Sequence, residues 1–521
     1  MPVTAGGAVQ LTVPLRMASL AREFPDTPAL TDLVRTWTFG DVAAHAAALA
    51  RRLVEAGGDR PVVLLADRGI ESVVAVYGIW WAGRPVAVLD ARDPVERLVE
   101  LAVRIDADLV VDATGSGRSS LGSFDVWGMS EPEYEAERWP DVVARPGDDA
   151  CLLQFTSGST GRPKCVAKTF ANMVRDLELF SAMRGYLAKQ RSAIFMPIQF
   201  GGGFTLTCLG LATGRFTALA DIASTGADSL CRQLAEIGIE RLHLTSSMLR
   251  SLIAALPPGR SIASLREVWL VGEPVHSRDV TNMWDRFGHD VVLGSAYGAT
   301  ERLGALCEII VAPGDDLDDG PLPLGEPTGA DVYRLDTDGR DDGSGEIIYR
   351  GELSAGYLDD PELNSERFGV DPDGVRTWRS GDLAVVDTVG RLVHRGRVDD
   401  MVKIGGRLVE PAETEAVLRT VNGVLDVSVL GRRLPSGNSQ LIAHVVVGPD
   451  TDPDSVRTEL RRRLPPHLVP GVLVRHEHLP ITERGKVDRR ALQQLPIQPW
   501  ADGSPEVAAD PRVKAVCAVA A

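Results

Sequence analysis

The chain has 521 residues, 44% hydrophobic and 24% charged, enough to bury a large core spread over about two to four domains. Its net charge of −17, without any basic block, argues against a nucleic-acid partner, and the first thirty residues lack the basic-then-apolar pattern of a secretory leader. The greasiest stretch, 73–89, is interrupted by Gly83, Arg84 and Pro85 and is too short for a membrane span, and the six cysteines form no CxxC or metal-ligand spacing, so a cytoplasmic protein with reduced thiols is expected.

In chain order, 61–67 reads as a buried strand, 69–83 as a helix, 85–90 as a strand, 94–107 as a helix opened by Pro94, and 108–113 as a strand. Such alternation implies parallel strands with right-handed crossovers. It returns at 241–245, 266–272 and 290–295, with helical segments between, so more than one doubly wound α/β layer is expected. From about residue 310 the chain becomes rich in Gly, Asp and Pro, which favours short antiparallel strands, with pairs at 345–351 and at 382–387 turning into 391–396. Beyond Arg397 a smaller α+β unit follows: helix 411–421, strands 424–433 and 440–448, helix 454–464. The last segment is linker-like and then resembles an Ala/Val helix.

Only six of the 55 basic residues are lysine: Lys164, Lys168, Lys189, Lys403, Lys486 and Lys514. A lysine kept in so arginine-biased a chain marks a place where a compact ammonium is wanted. Lys164 closes the strongest local signal, Thr156-Ser157-Gly158-Ser159-Thr160-Gly161-Arg162-Pro163-Lys164. Small hydroxyl residues and glycines let backbone N–H groups approach an anion, with a cation at the end of the loop. No GK[ST] follows at Walker A spacing, so this is a phosphate loop of another kind.

At this loop the sequence resembles the adenylate-forming superfamily of acyl-CoA synthetases, luciferases and assembly-line adenylation domains. Further motifs follow in the family's order: 82–98, LVGEP (270–274), SAYGATE (295–301), 345–368, 378–415 and ERGKVDRRAL (483–492). The resemblance implies a large N-terminal core at 1–398, with doubly wound α/β layers and a small β-barrel-like part. A small mobile α+β domain at 399–497 would turn about a hinge at Asp399, and 498–521 would be a linker and the start of a truncated carrier domain.

The implied chemistry is attack of a carboxylate on the α-phosphate of ATP, giving acyl-AMP and pyrophosphate, with Mg²⁺ bridging phosphate oxygens. By resemblance the ATP site takes Thr156, Ser157, Gly158, Ser159, Thr160, Gly161, Lys164, Gly272, Glu273, Pro274, Ala296, Tyr297 and Gly298. Thr300 would contact phosphate, Glu301 the metal, Tyr297 the adenine, and Asp382 and Arg397 the ribose. Lys486 would bridge the α-phosphate and the acid. Gly405 and Gly406 would line a tunnel for the pantetheine of a carrier protein or CoA, the acyl acceptor.

Amino-acid-activating relatives carry an Asp after an aromatic residue where this chain has Phe200 followed by Gly201, Gly202 and Gly203. Burying an ammonium without a partner costs several kcal/mol, so the acid should lack a free α-amino group. Phe200, the three glycines, Thr245, Ser246, Gly272 and Ala296 would line its pocket. A loading adenylation domain serving a downstream carrier domain is the first expectation and a free-standing acid–CoA ligase the second. A luciferase-like oxidase or a non-catalytic nucleotide-binding homologue is the alternative of another class.

Overall fold

The computed structural model describes residues 13–129, 147–156, 163–183, 190–328, 332–337, 343–400, 402–404, 407–409, 411–433, 439–464, 468–482 and 485–500. Two large sheets organise the N-terminal part. The eight-stranded sheet runs Gly356–Tyr357, Lys164–Thr169, Ala150–Thr156, Val86–Asp90, Val62–Ala66, Leu109–Asp112, Phe124–Gly128, Ser120–Leu121. Its central strands are parallel, and every residue of Val62–Ala66 and Val86–Asp90 is buried, as expected of strands covered on both faces.

The nine-stranded sheet holds a parallel block formed by Pro28–Thr31, Thr217–Leu219, Ser192–Ile194, Arg241–Leu244, Glu267–Val271 and Val292–Tyr297. Between the sheets lies helix Ile70–Trp81, buried at every position but Glu71, beside the capping-boxed helix Phe39–Ala56. One apolar cluster joins these helices to Val62 and Val86 of one sheet and Leu30 and Leu219 of the other. A helix buried all round has no amphipathic stripe, which suits a middle layer.

The expected small β part takes the form of a five-stranded antiparallel sheet built around Arg376–Val386, which pairs with Gly345–Arg350 and Leu392–Arg397. The smaller C-terminal domain packs helices Pro411–Arg419 and Pro453–Arg463 on the sheet Val424–Arg433, Ser439–Val447, Val472–His476. Among the described residues no helix is long and apolar enough to cross a membrane. Cys151, Cys165, Cys208, Cys231 and Cys307 are buried free thiols, and burial pushes the thiol of each upward. The expected carrier-domain start lies outside the described residues beyond Trp500.

The glycine triplet opens a continuous helical run over 201–212 with a π turn at Thr205–Leu209. Close approach explains Gly203: a Cβ there would stand 2.1 Å from the carbonyl oxygen of Pro197. Gly203→Ala should therefore cost about 1–3 kcal/mol by overpacking and lower the thermal midpoint by several degrees. An unchanged midpoint in a melting experiment would refute that packing account.

Candidate active site

Thr156 and Lys164 are paired across two antiparallel strands that flank the expected phosphate loop. Ser157, Gly158, Ser159, Thr160 and Gly161 lie outside the described residues, as do Gly405 and Gly406. The strand carrying Lys164 also pairs Val166 with Tyr357, and the Lys164 Nζ stands 5.6 Å from the Tyr357 ring centroid. Tyr357 donates to Glu301 Oε1 at 3.0 Å and accepts from Trp378 Nε1 at 3.0 Å. Glu301 is buried, which raises its carboxyl above the ordinary value; the Tyr357 hydrogen bond and the charges of Lys164 and Arg397 pull the other way. Tyr357 is not among the expected site residues, and only its place inside the motif 345–368 signals it.

A second cluster forms on the five-stranded sheet, where Asp382 and Arg397 are register partners. Arg397 donates to Asp382 Oδ1 and, at 3.3 Å, to the Ser380 carbonyl, while Tyr297 donates to Asp382 Oδ2 at 2.6 Å. His394 Nε2 is 3.8 Å from the same carboxylate. Burial would raise the Asp382 carboxyl, but His394, Arg397 and Tyr297 outweigh it and hold it at about 2. His394 is the second residue that sequence reasoning misses; it sits two residues from Gly396, on the same strand as Arg397.

The third element comes from the C-terminal domain. The turn holding Lys486 is pinned by Thr482, whose hydroxyl accepts the Lys486 N–H at 3.3 Å and whose N–H donates to the Lys486 carbonyl at 2.6 Å. It docks on the large domain through two contacts. The Thr245 hydroxyl donates to the Gly485 carbonyl at 2.7 Å, and the Val487 N–H reaches Glu273 Oε1 at 3.4 Å. Docking puts Lys486 Nζ 5.0 Å from the Phe200 ring centroid. A Cβ on Gly272, whose φ is +81°, would stand 3.1 Å from Phe200 Cζ and 3.2 Å from Lys486 Cε. Glycine is needed at 272 both for its backbone and for this space.

The expected pocket residues are drawn together around that point. Thr300 Oγ1 would be 2.9 Å from a Cβ on Gly201, and Val271 Cγ2 would be 3.7 Å from one on Gly202. Ala296 pairs with Val271, and Gly298 lies against Gly304. Ser246 donates to the Pro274 carbonyl at 3.1 Å. Glu273 turns toward helix Ser246–Ala255, accepting from the Ser247 N–H at 2.8 Å and its hydroxyl at 3.1 Å. Gly203 is taken up by helix packing. Asp399 lies in a 3₁₀ turn, Val398–Asp400, directly after strand Leu392–Arg397.

A polar seam extends the domain contact. Arg250 pairs with Asp279 at 3.0 Å and with Asp426 of the smaller domain at 3.7 Å, while Arg419 holds Asp426 at 2.7 Å. Arg278 donates to the Val424 carbonyl at 2.8 Å. Burial would raise the Asp426 carboxyl, but Arg250 and Arg419 hold it below the ordinary value.

Mixed sheets, a loop between the paired strands of Thr156 and Lys164, and a docking smaller domain make up the architecture. The AMP-binding enzyme family profile matches residues 18–358 and the AMP-binding enzyme C-terminal domain profile matches 413–486, so the chain belongs to the family of AMP-binding enzymes, the adenylate-forming ligases. It is 31% identical over 499 residues to the probable non-canonical nonribosomal peptide synthetase CymA of Salinispora arenicola, covering 93% of this chain and 6% of that one. It is 30% identical over 497 residues to syringomycin synthase SyrB1 of Pseudomonas syringae pv. syringae, covering 91% and 80%. The chain thus spans only a small part of CymA, whereas it spans most of SyrB1. The anthranilate CoA ligase AuaEII, solved with anthranoyl-AMP, shares the fold at a TM-score of 0.78 and 19% identity, over 92% of this chain and 96% of that one.

Asp426→Asn removes the negative charge shared across the domain seam. A partly exposed pair of this kind is worth at most about 1 kcal/mol, so amide exchange at 485–487 should quicken by a factor of about two to five. Exchange there that does not change would show that the seam plays no part in docking.

Proposed function

We propose that this protein activates a carboxylic acid lacking a free α-amino group as its acyl-AMP, using ATP, and then passes the acyl group to a phosphopantetheine thiol of a carrier protein. The observation that carries the reading is the docking of Lys486 from the smaller domain against Phe200 and Gly272, at the mouth of the expected acid pocket.

In the first step a carboxylate oxygen of the acid bonds to the α-phosphorus of ATP while the bond to pyrophosphate breaks. Two anions must approach, and negative charge grows on phosphorus, so fixed cations and donors contribute most. Lys486 neutralises acid and α-phosphate together, Lys164 and the loop 156–161 hold the outer phosphates, and Thr300 donates from the other side. Asp382 accepts from the ribose hydroxyls, steadied by Arg397 and His394, and Tyr297 lies along the base.

Glu301 is a lone buried carboxylate, and no cluster of three metal-ligating side chains occurs among the described residues. That donor set suits Mg²⁺ carried in on the phosphates, since this ion binds through one or two carboxylates plus phosphate oxygens. Bound there, Mg²⁺ would supply charge neutralisation at the phosphates. Glu301 would be its protein ligand, oriented by Tyr357.

The reading of the acid class is supported by the atoms that stand nearest the glycines. The nearest neighbours of Gly201, Gly202 and Gly272 are Thr300, Phe200, Val271 and Lys486, none of them a carboxylate. An α-ammonium would meet Lys486 without a counter-charge. For thiol transfer, Thr245 and Glu273 must release 485–487, and the smaller domain turns about Asp399 to bring Gly405 and Gly406 to the acyl group. Relatives support a carrier as acceptor, since a solved two-domain protein described as a nonribosomal peptide synthetase with adenylation and carrier domains shares 27% identity at a TM-score of 0.64.

Lys486→Ala should slow acyl-AMP formation by at least about 10²-fold, the loss of roughly 3 kcal/mol of charge stabilisation. Pyrophosphate exchange across amino, aryl and fatty acids reads both rate and substrate class. Exchange strongest with α-amino acids would overturn the acid assignment, and near-normal exchange in the variant would overturn the lysine's role. With CoA and a holo carrier protein offered side by side, acylation of CoA alone would make the protein an acid–CoA ligase instead.

A carboxyl depressed to about 2 contributes its interactions fully above about pH 4 and loses them only as pH falls through the folded value. Adenosine, which carries no titrating phosphate, should therefore bind with constant affinity from pH 5 to 8 in calorimetry. A loss of affinity with a midpoint near 6 that persists in His394→Gln would contradict Asp382 as the ribose acceptor.

A further inference from the structure

Of the lysines that this arginine-biased chain keeps, Lys164 and Lys486 belong to the site, but Lys168 does not. It lies on strand Lys164–Thr169, is 4% exposed, and places Nζ 3.0 Å from Oδ2 of Asp176, itself 2% exposed on helix Phe170–Ala182. The other carboxylate oxygen, Oδ1, accepts the N–H of Gly304 at 2.7 Å. Gly304 comes three residues after Glu301, with φ +66°, and a Cβ on it would stand 2.9 Å from Leu179 Cβ on the same helix.

Stability does not explain this pair. Taking two charges out of water costs several kcal/mol each, and apolar side chains of similar volume often serve stability as well or better. An apolar pair cannot accept the Gly304 N–H, whereas a carboxylate accepts it more strongly than a neutral group would. Lys168 then stands as the counter-charge beside the buried Asp176 side chain.

The tie matters because of where the strand goes. Val166, two residues before Lys168, pairs with Tyr357, whose hydroxyl bonds Glu301. The turn holding Thr300 and Glu301 is thus gripped at both ends from the strand that follows the phosphate loop: at Glu301 through Tyr357, at Gly304 through Asp176. We infer that Asp176, balanced by Lys168, is a positioning residue that fixes Thr300 and Glu301 relative to strand Lys164–Thr169, which carries the site lysine at its start. The catalytic consequence rests on the adenylation reading above; the tie itself does not.

Two double variants separate these roles. Lys168→Met with Asp176→Leu removes both charges and the acceptor; Lys168→Met with Asp176→Asn removes the charges but keeps a carbonyl for Gly304. The Leu pair should melt within a few degrees of the parent protein. Its Gly304 amide should exchange at least about tenfold faster, and its pyrophosphate-exchange kcat should fall about 10- to 100-fold, as small misplacements of reacting groups do, with the KM for the acid unchanged. The Asn pair should return to within about threefold of the parent in both readouts. Parent-like amide exchange and turnover in the Leu pair would overturn the inference, as would an Asn pair impaired as deeply as the Leu pair. Should the Leu pair not fold, the parent's own Gly304 amide decides: protection equal to that of strand Lys164–Thr169 supports the tie, and exchange at the solvent rate refutes it. A parent protein that activates no acid would remove the adenylation reading while leaving the amide comparison intact.

Discussion

Glu273 accepts hydrogen bonds from both domains at once: from Ser247 at the start of a helix in the large domain, and from Val487 beside Lys486 in the smaller one. The rest of the site depends on that shared carboxylate and on the neighbouring Thr245–Gly485 bond. Neither Phe200 nor Gly272 moves a cation by itself. The ammonium arrives only because the turn at 485–487 is seated, and Gly272 leaves room for it. Contacts of this size are individually modest, about 1 kcal/mol each. A docked arrangement built from a few of them can form and release, as a two-step reaction at one acyl group requires.

Three carboxylates lie in this part of the molecule, Glu301 and Asp382 buried and Asp426 half-buried, and their surroundings push them apart. Glu301 is driven upward by burial and keeps one tyrosine hydroxyl as donor. Asp382 is held low by a histidine, an arginine and a tyrosine. Asp426 is held low by arginines from both domains. A carboxylate with few donors is hungry for a cation, whereas one surrounded by donors is already satisfied and serves as a fixed acceptor. The three therefore suit different tasks: meeting a metal, receiving hydroxyls, and joining domains.

Much of the fold is legible because local patterns decide it. The short apolar run Val62–Ala66, alternating with helical segments, is a buried strand, and the turn-rich texture after residue 310 yields an antiparallel sheet. The expected site residues rest on the ordered motifs that also carry the family resemblance. What the sequence hides are long-range pairings. Nothing local joins Tyr357 to Glu301, or Asp176 to Gly304, which are 128 residues apart. The helix at the glycine triplet is hidden for another reason. Glycine disfavours helix locally, yet the Pro197 carbonyl excludes any side chain at Gly203 and tertiary packing carries the helix through.

The central claim is that the seated turn is the state that makes acyl-AMP. A short bis-thiol cross-link between Ser247→Cys and Val487→Cys, in a Cys517→Ser background, would hold both partners of Glu273 together. Pyrophosphate exchange that survives the cross-link, with acylation of the thiol acceptor lost until the link is cleaved, is the predicted result. Loss of pyrophosphate exchange on cross-linking, with recovery on cleavage, would contradict the account.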